Sequence, residues 1–411
     1  MRVAGPVVVA LIILFSRAAA AQQEQWLHYK SSAHPTQDLG MRCVTQARGS
    51  RPASPTRPNA ADLPQFKSDK PLFFHWKLGK AFAERRKGKE DFAWVALDKS
   101  KKDGDYDLLY IDSNLDGRLS DETALEITAD EDNGEPSCHL VEMLLSAEDG
   151  PVSYHLNLHL QGDGARTQLE FESASWYEGT VNVAGAEFSC TLLDGNANGQ
   201  FNEAAANPQA ADVIRLVPVD EKPQGGALTD GTLHAIGRYV DIRAKLYTLD
   251  IAPDGACVKI TPAINVPTGR IRVPEGIAQL SVAGLNGHFY LTPKDGLVTV
   301  PAGQYVVYGW KITRKDKQGE TWQLTGMATS FEKSIIVEMG REINLDIGEP
   351  VISQVSISRQ GDEYDIRWTS PFKGRAGETV IALCDGRLPS GQIQITNANG
   401  AFKETLAAAF G

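Results

Sequence analysis

Tyr154-His-Leu-Asn-Leu-His-Leu160 alternates large apolar residues with polar ones, the period-two pattern of a strand that turns one face to a core. Leu246-Tyr-Thr-Leu-Asp-Ile251 and Tyr305-Val-Val-Tyr-Gly-Trp-Lys-Ile312 read the same way. From Leu63 onward such short runs recur between Asp-Gly, Asn-Gly and proline turns, and this rhythm predicts an all-β, multidomain chain. Helical windows are few and short, the clearest at 79–89 and 137–146.

The sequence has 411 residues, 42% hydrophobic, 23% charged and 8% aromatic, the balance of a folded globular protein long enough for several domains. Its formal net charge is −11. An acidic chain is a poor nucleic-acid binder, because duplex binding draws on clustered Lys and Arg that release counterions. A cation suits it better. The start reads as a secretory leader: Arg2, an apolar run from Val7 to Phe15, and small residues up to Ala21. Residues 1–21 are therefore expected to be removed on export, leaving a secreted or periplasmic protein with no membrane span, since no later stretch approaches the length a bilayer needs. Residues 22–62, rich in Pro, Ser, Arg and Gln, read as a flexible linker. The cysteines Cys43, Cys138, Cys190, Cys257 and Cys384 are odd in number and irregularly spaced. They fit free thiols better than a disulfide framework.

Within residues 63–261 a loop pattern occurs twice. Asp112-Ser-Asn114-Leu-Asp116-Gly117 follows the apolar run Leu108-Leu-Tyr-Ile111, and Asp194-Gly-Asn196-Ala-Asn198-Gly199 follows Cys190-Thr-Leu-Leu193. Calcium takes six to eight oxygens, and side-chain oxygens at loop positions 1, 3 and 5 converge when a glycine at 6 allows the sharp turn. The first candidate set is Asp112, Asn114, Asp116, the carbonyl of Arg118 and Ser120, closed by Asp121 or Glu122. The second is Asp194, Asn196, Asn198, Gln200, Asn202 and Glu203, with fewer carboxylates. Leu119 and Phe201 are the expected inward anchors. Position 12 of a full EF-hand, an acid, is here Thr123 and Ala205. The affinity expected is that of extracellular modules, about 10⁻⁴ to 10⁻³ M. Replacing Asp112 and Asp116 with Ala is expected to remove calcium's stabilisation and leave the calcium-free melting point nearly unchanged. The metal-free alternative is a pair of Asx-turns, which Asp and Asn before Gly form unaided.

Leu63-Pro-Gln-Phe-Lys-Ser-Asp-Lys-Pro-Leu72, Asp107-Leu-Leu-Tyr-Ile-Asp-Ser-Asn114, Leu193-Asp-Gly-Asn-Ala-Asn-Gly-Gln-Phe-Asn202 and Lys245-Leu-Tyr-Thr-Leu-Asp-Ile-Ala-Pro-Asp-Gly255 together resemble a group of exported, β-rich proteins of planctomycete-type bacteria with dockerin-like loops. The resemblance spans about half the chain. It implies secretion, β-rich architecture and metal-binding loops, and it carries no catalytic activity.

Residues 262–349 read as a second β domain, similar to prealbumin-like or immunoglobulin-like sandwiches, and 350–411 as a short fibronectin-like or immunoglobulin-like one with strands near 352–358, 363–369, 379–384 and 392–396. The motifs G-x-S-x-G, H-E-x-x-H and the phosphate loop are absent from the sequence. A hydrolase built on a carboxylate pair stays open, because carboxylate separation is a property of the fold. His155 and His159 share a strand face about 13 Å apart at 3.3 Å per residue, too far for one zinc, and read as a solvated face. Tyr308, Trp310 and Trp322 read as core, with an exposed carbohydrate platform as the alternative. The functional expectation is a secreted, non-catalytic binding or scaffold protein with one or two weak calcium loops, its partner an extracellular protein or polysaccharide.

Overall fold

The computed structural model describes residues 24–39, 49–54, 56, 58, 62–86, 89–130, 134–148, 150–162, 166–221, 232–331, 333–353, 355–361, 363–368, 372–389, 391–396, 399 and 401–408. The expected leader and Cys43 lie outside these residues. The described chain is all-β, built from several antiparallel sheets around two main cores, with two short helices.

Four sheets enclose the first core. One runs Gly49–Pro52, Gln168–Ser173, Gly150–Gln161, Pro136–Ala147, Thr128–Ala129, and a second Leu233–Ala235, Val213–Pro218, Ala186–Leu193, Ser175–Val183, His28–Ser31. A third is Gln25–Trp26, Cys257–Pro262, Lys245–Ile251, Tyr239–Ile242, and the fourth Leu72–Lys77, Phe92–Asp98, Leu108–Ile111, Leu125–Glu126. Trp76, Val95, Met143, Tyr154, Leu192, Ile214 and Ile260 are among the side chains that meet between them. Each comes from the alternating apolar positions that the strand period places on one face.

Two expectations are corrected here. Residues 137–146 are not helical: they belong to the strand Pro136–Ala147, in which buried Val141, Met143 and Leu145 alternate with exposed Glu142 and Leu144. The 79–89 window does contain a helix, Lys80–Arg85. The linker expected over 22–62 is in part sheet. Gln25–Trp26 pairs with Cys257–Pro262, His28–Ser31 with Ser175–Val183 and Gly49–Pro52 with Gln168–Ser173, while Leu27 is buried in the core. Polar composition did not prevent this, because a strand added to a sheet edge is held by main-chain hydrogen bonds.

The second core takes most of its residues from beyond Pro262, where Ile271, Leu280, Val282, Phe289, Tyr305, Trp310 and Val380 pack together with Tyr239. Its larger sheet runs Gly287–Leu291, Ile277–Gly284, Gly303–Lys315, Thr321–Met327, Thr379–Cys384, Phe372–Lys373. The expected boundary at 349/350 does not hold, because Thr379–Cys384 pairs with Thr321–Met327 and buried Glu378 accepts a 2.8 Å hydrogen bond from Trp310 Nε1. Among the described residues, two hairpins lie outside this sheet after 350, Val355–Gln360 with Glu363–Trp368 and Gly391–Thr396 with Lys403–Ala408. Among the described residues no helix is long and apolar enough to cross a membrane.

Candidate metal centres

The two D-x-N loops leave strands of different sheets, Leu108–Ile111 and Ala186–Leu193, with the same backbone. Position 4 is left-handed in both, Leu115 at φ 59° and Ala197 at φ 55°, and so is the glycine at 6, Gly117 at 90° and Gly199 at 85°. Both leading carboxylates are buried, Asp112 at 0% and Asp194 at 2% exposure, as are the anchors Leu119 and Phe201. The repeat read in the sequence is therefore a repeat of conformation.

In the first loop Asp112 Oδ1 and Asn114 Oδ1 both accept from Asp116 N at 2.9 Å, so these two oxygens converge. Asp112 Oδ2 accepts from Gly117 N and Asp116 Oδ1 from Arg118 N, each at 2.9 Å. Burial lifts the Asp112 carboxyl from its ordinary range to about 6, against the pull of the Gly117 amide. Glu122 is turned onto Ser113, accepting from its N–H at 2.7 Å and from its hydroxyl. Ser120 and Asp121 stand exposed at the loop's mouth. Arg118 is exposed and pairs with Asp62 at 3.3 Å.

The second loop is cross-linked by its own amides. Asn196 Nδ2 donates to Glu203 Oε2 at 2.9 Å, and Asn198 Nδ2 donates to the same oxygen. Gln200 donates to Asn202 Oδ1 at 2.6 Å and Asn202 to the carbonyl of Ile251 at 3.0 Å. Asp194 accepts from Gly199 N at 2.7 Å and from the Tyr154 hydroxyl at 2.8 Å, and burial lifts its carboxyl to about 6. Asn196 Oδ1 is shielded from solvent and meets no hydrogen-bond partner. Sequence reading missed Asp212, whose wholly buried carboxylate accepts from Gly195 N at 2.9 Å and Glu203 N at 2.6 Å. Its carboxyl sits well above the usual range, through burial first and then the charge of Asp194. An isolated aspartate in Ala211-Asp-Val213 carries no spacing signal that could have marked it.

The helix Lys80–Arg85 straps the loops together. On one side Gly79 N donates to Asn198 O at 2.9 Å, Ala81 N to Gln200 Oε1 at 2.8 Å, and Trp76 Nε1 to Ala197 O at 2.7 Å. On the other, Arg86, which caps the helix, donates from Nη2 to Leu115 O. The left-handed residue of each loop thus gives its carbonyl to a buried donor on this segment. A cleft of about 540 Å³ opens beside the second loop, lined by His75, Lys80, Glu84, Asn196 and Glu203 among others. One of about 350 Å³ lies beside the first, lined by Asp62, Arg86, Trp94 and Asp116 among others. Between them His75, Phe92 and Trp94 form a strip of rings, with centroids 4.0 Å apart for His75 to each partner and 5.2 Å for Phe92 to Trp94.

The other sequence candidates fall elsewhere. Trp310 is 3% exposed in the second core, and half-buried Trp322 donates to Asp316 Oδ2 at 3.0 Å. A register shift beside Tyr308 separates it from the face of Trp310, so these rings form no platform. His155 shares a 2.7 Å hydrogen bond with the Tyr29 hydroxyl. His159 is not on a solvated face: it is buried against Glu172. Cys138, Cys190, Cys257 and Cys384 are free thiols. The chain matches no protein-family model, no curated protein and no solved structure.

Proposed function

We propose that the chain is an exported, non-catalytic binding or scaffold protein that uses calcium to set its first D-x-N-x-D-G loop, with a weaker copy at the second. One observation carries this reading: two loops far apart in sequence share the same pair of left-handed positions and the same buried leading aspartate. Asp112, Asn114, Asp116 and the carbonyl of Arg118 are the oxygens a hard cation would take in the first loop, with Ser120 and Asp121 at its mouth. Carboxyls lifted by burial are relieved when a cation replaces the missing solvation. In the second loop Asn196 Oδ1 offers an oxygen that nothing else satisfies, while amide donors on Glu203 already supply part of what a cation would. That difference favours the first loop.

The leader-like pattern of residues 1–21 and the resemblance to exported proteins of planctomycete-type bacteria support a secreted or periplasmic setting, and the second core supports a sandwich of the immunoglobulin or prealbumin type. The partner class that suits the ring strip of His75, Phe92 and Trp94 is a polysaccharide, since sugar faces stack on such rings. Calcium that binds only the folded state stabilises it by about 2.7 kcal/mol at a hundredfold excess over its dissociation constant. Thermal melts in millimolar calcium and in chelator are expected to differ, and Asp116→Asn, which keeps the turn and removes the charge, is expected to abolish most of the difference. Trp94→Ala is expected to release the protein from insoluble polysaccharide and, because Trp94 packs against the cluster of Phe73 and Leu119, to lower both melts while keeping the difference between them. Equal midpoints with no heat of calcium binding would reduce both loops to Asx-turns.

A further inference from the structure

A bulge in the strand Pro136–Ala147 brings together two histidines that its pleat would separate. Its register against Gly150–Gln161 shifts between Leu156 and Leu158, and Leu140, with no glycine's freedom, sits there at φ 54°. Asn157, 0% exposed, holds the bulge by accepting from Leu140 N at 3.1 Å. Bulges of this kind re-aim side chains and gather near functional sites. Here the result is that the rings of His139 and His159 lie 5.7 Å apart, centroid to centroid, and the ring of His34 lies 5.7 Å from that of His139. Asn157 also fixes the segment carrying His34, donating to Ala33 O at 2.9 Å.

Each of the two strand histidines is backed by an acid through the same ring atom. His139 Nε2 lies 3.0 Å from Asp130 Oδ2, and His159 Nε2 lies 3.1 Å from Glu172 Oε2. Their side chains are 20% and 4% exposed, those of the acids 5% and 8%. A carboxylate on Nε2 keeps the proton there and leaves Nδ1 a bare lone pair. Both Nδ1 atoms are shielded from water and have no hydrogen-bond partner. A buried acceptor left unmade is costly, and an imidazole oriented from behind by an acid, with its other ring nitrogen bare, is set up as metal-binding imidazoles are.

We propose that His139 and His159, completed by His34, seat a divalent transition-metal ion of the zinc class through the two Nδ1 atoms, with Asp130 and Glu172 as the supporting acids. Nitrogen donors select such an ion over calcium, which takes oxygens, so this site is independent of the D-x-N loops. The three rings cluster without their ligand atoms all lying within 4.8 Å of one another, so the site closes on binding. The group of described residues whose ligand atoms already lie within 4.8 Å of one another is Glu320, Cys384 and Asp385, an exposed pair of acids with one thiol and no buried unpaired atom.

The test is titration of the metal-free protein with zinc and with cobalt(II), read by calorimetry and by visible absorption. Expected are one tight equivalent and the intense d–d bands of a four-coordinate cobalt site, unchanged by saturating calcium. His139→Ala and His159→Ala are expected to lose the bands, and Glu172→Gln to weaken binding about 10- to 100-fold. His155→Ala, on the same strand but bonded to Tyr29, is expected to bind as the parent does. The proposal is overturned if the folded parent protein takes up neither metal, or if His139→Ala and His155→Ala bind them equally well. The parent's own spectrum decides the matter even where a variant fails to fold.

Discussion

His288 shows how much a single side chain can set. It is 5% exposed on the strand Gly287–Leu291, on the face opposite the core residue Phe289, its Nε2 2.6 Å from Ser281 Oγ, and its carbonyl oxygen is 3.2 Å from His234 Nδ1. Burial, and then the neighbouring His234, lower its pKa from 6.5 to about 3. The unfolded chain therefore binds a proton near pH 6.5 that the folded chain refuses until about pH 3. Stability from this group is present above the unfolded value and is lost as pH falls, by at most about 1.4 kcal/mol per pH unit. Urea midpoints between about pH 4 and 7 should fall with acid, and His288→Gln should flatten that slope. A parallel midpoint profile in the variant would assign the acid loss elsewhere. Residues of this kind were illegible in the sequence for one reason: burial belongs to the fold. His159 alternates with apolar neighbours like a surface residue and is buried because Glu172, on the next strand, satisfies it. Asp112 was legible as a loop leader, but its two amide bonds mean that Asp112→Ala would weaken the calcium-free protein too, contrary to the sequence expectation.

At the scale of elements the two loops are twins in different surroundings. A Cβ at Gly117 would meet nothing within 4 Å, whereas one at Gly199 would lie 2.6 Å from Leu145 Cδ1. Both positions carry the left-handed penalty of about 1–2 kcal/mol for an L residue. Gly117→Ala should therefore cost about that much, and Gly199→Ala roughly 1–3 kcal/mol more through overpacking. Denaturant midpoints of the two variants measure the difference, and equal losses would mean that Leu145 yields freely. The loop spacing was readable because its chemistry is local. The strand Pro136–Ala147 was not, since its Leu140 bulge interrupts the period-two pattern and a short broken apolar run looks helical.

Across the whole molecule, the all-β character followed from strand rhythm, but the borders of the sheets did not. Residues 25–31 close the edges of two sheets, and Thr379–Cys384 joins a sheet begun a hundred residues earlier at Ile277–Gly284. Such long-range pairings leave no trace in local composition. Deleting the chain through Ser31 should expose both edges and remove Leu27 from the core. Hydrogen exchange should then speed in Ser175–Val183 and Cys257–Pro262, and remain slow in Gly303–Lys315. Bare edges should also promote self-association; unchanged protection in the first two strands would mean that the N-terminal pairing contributes nothing. The pairing of Gln25–Trp26 with Cys257–Pro262 also imposes a timetable. The earliest described strand finds its neighbour only in the last strand of that core, so a chain emerging from its N-terminus must wait for residue 262 before the sheet can close. Folding of the first core is then governed by a late, distant contact, which slows it and keeps the unfinished chain open during synthesis.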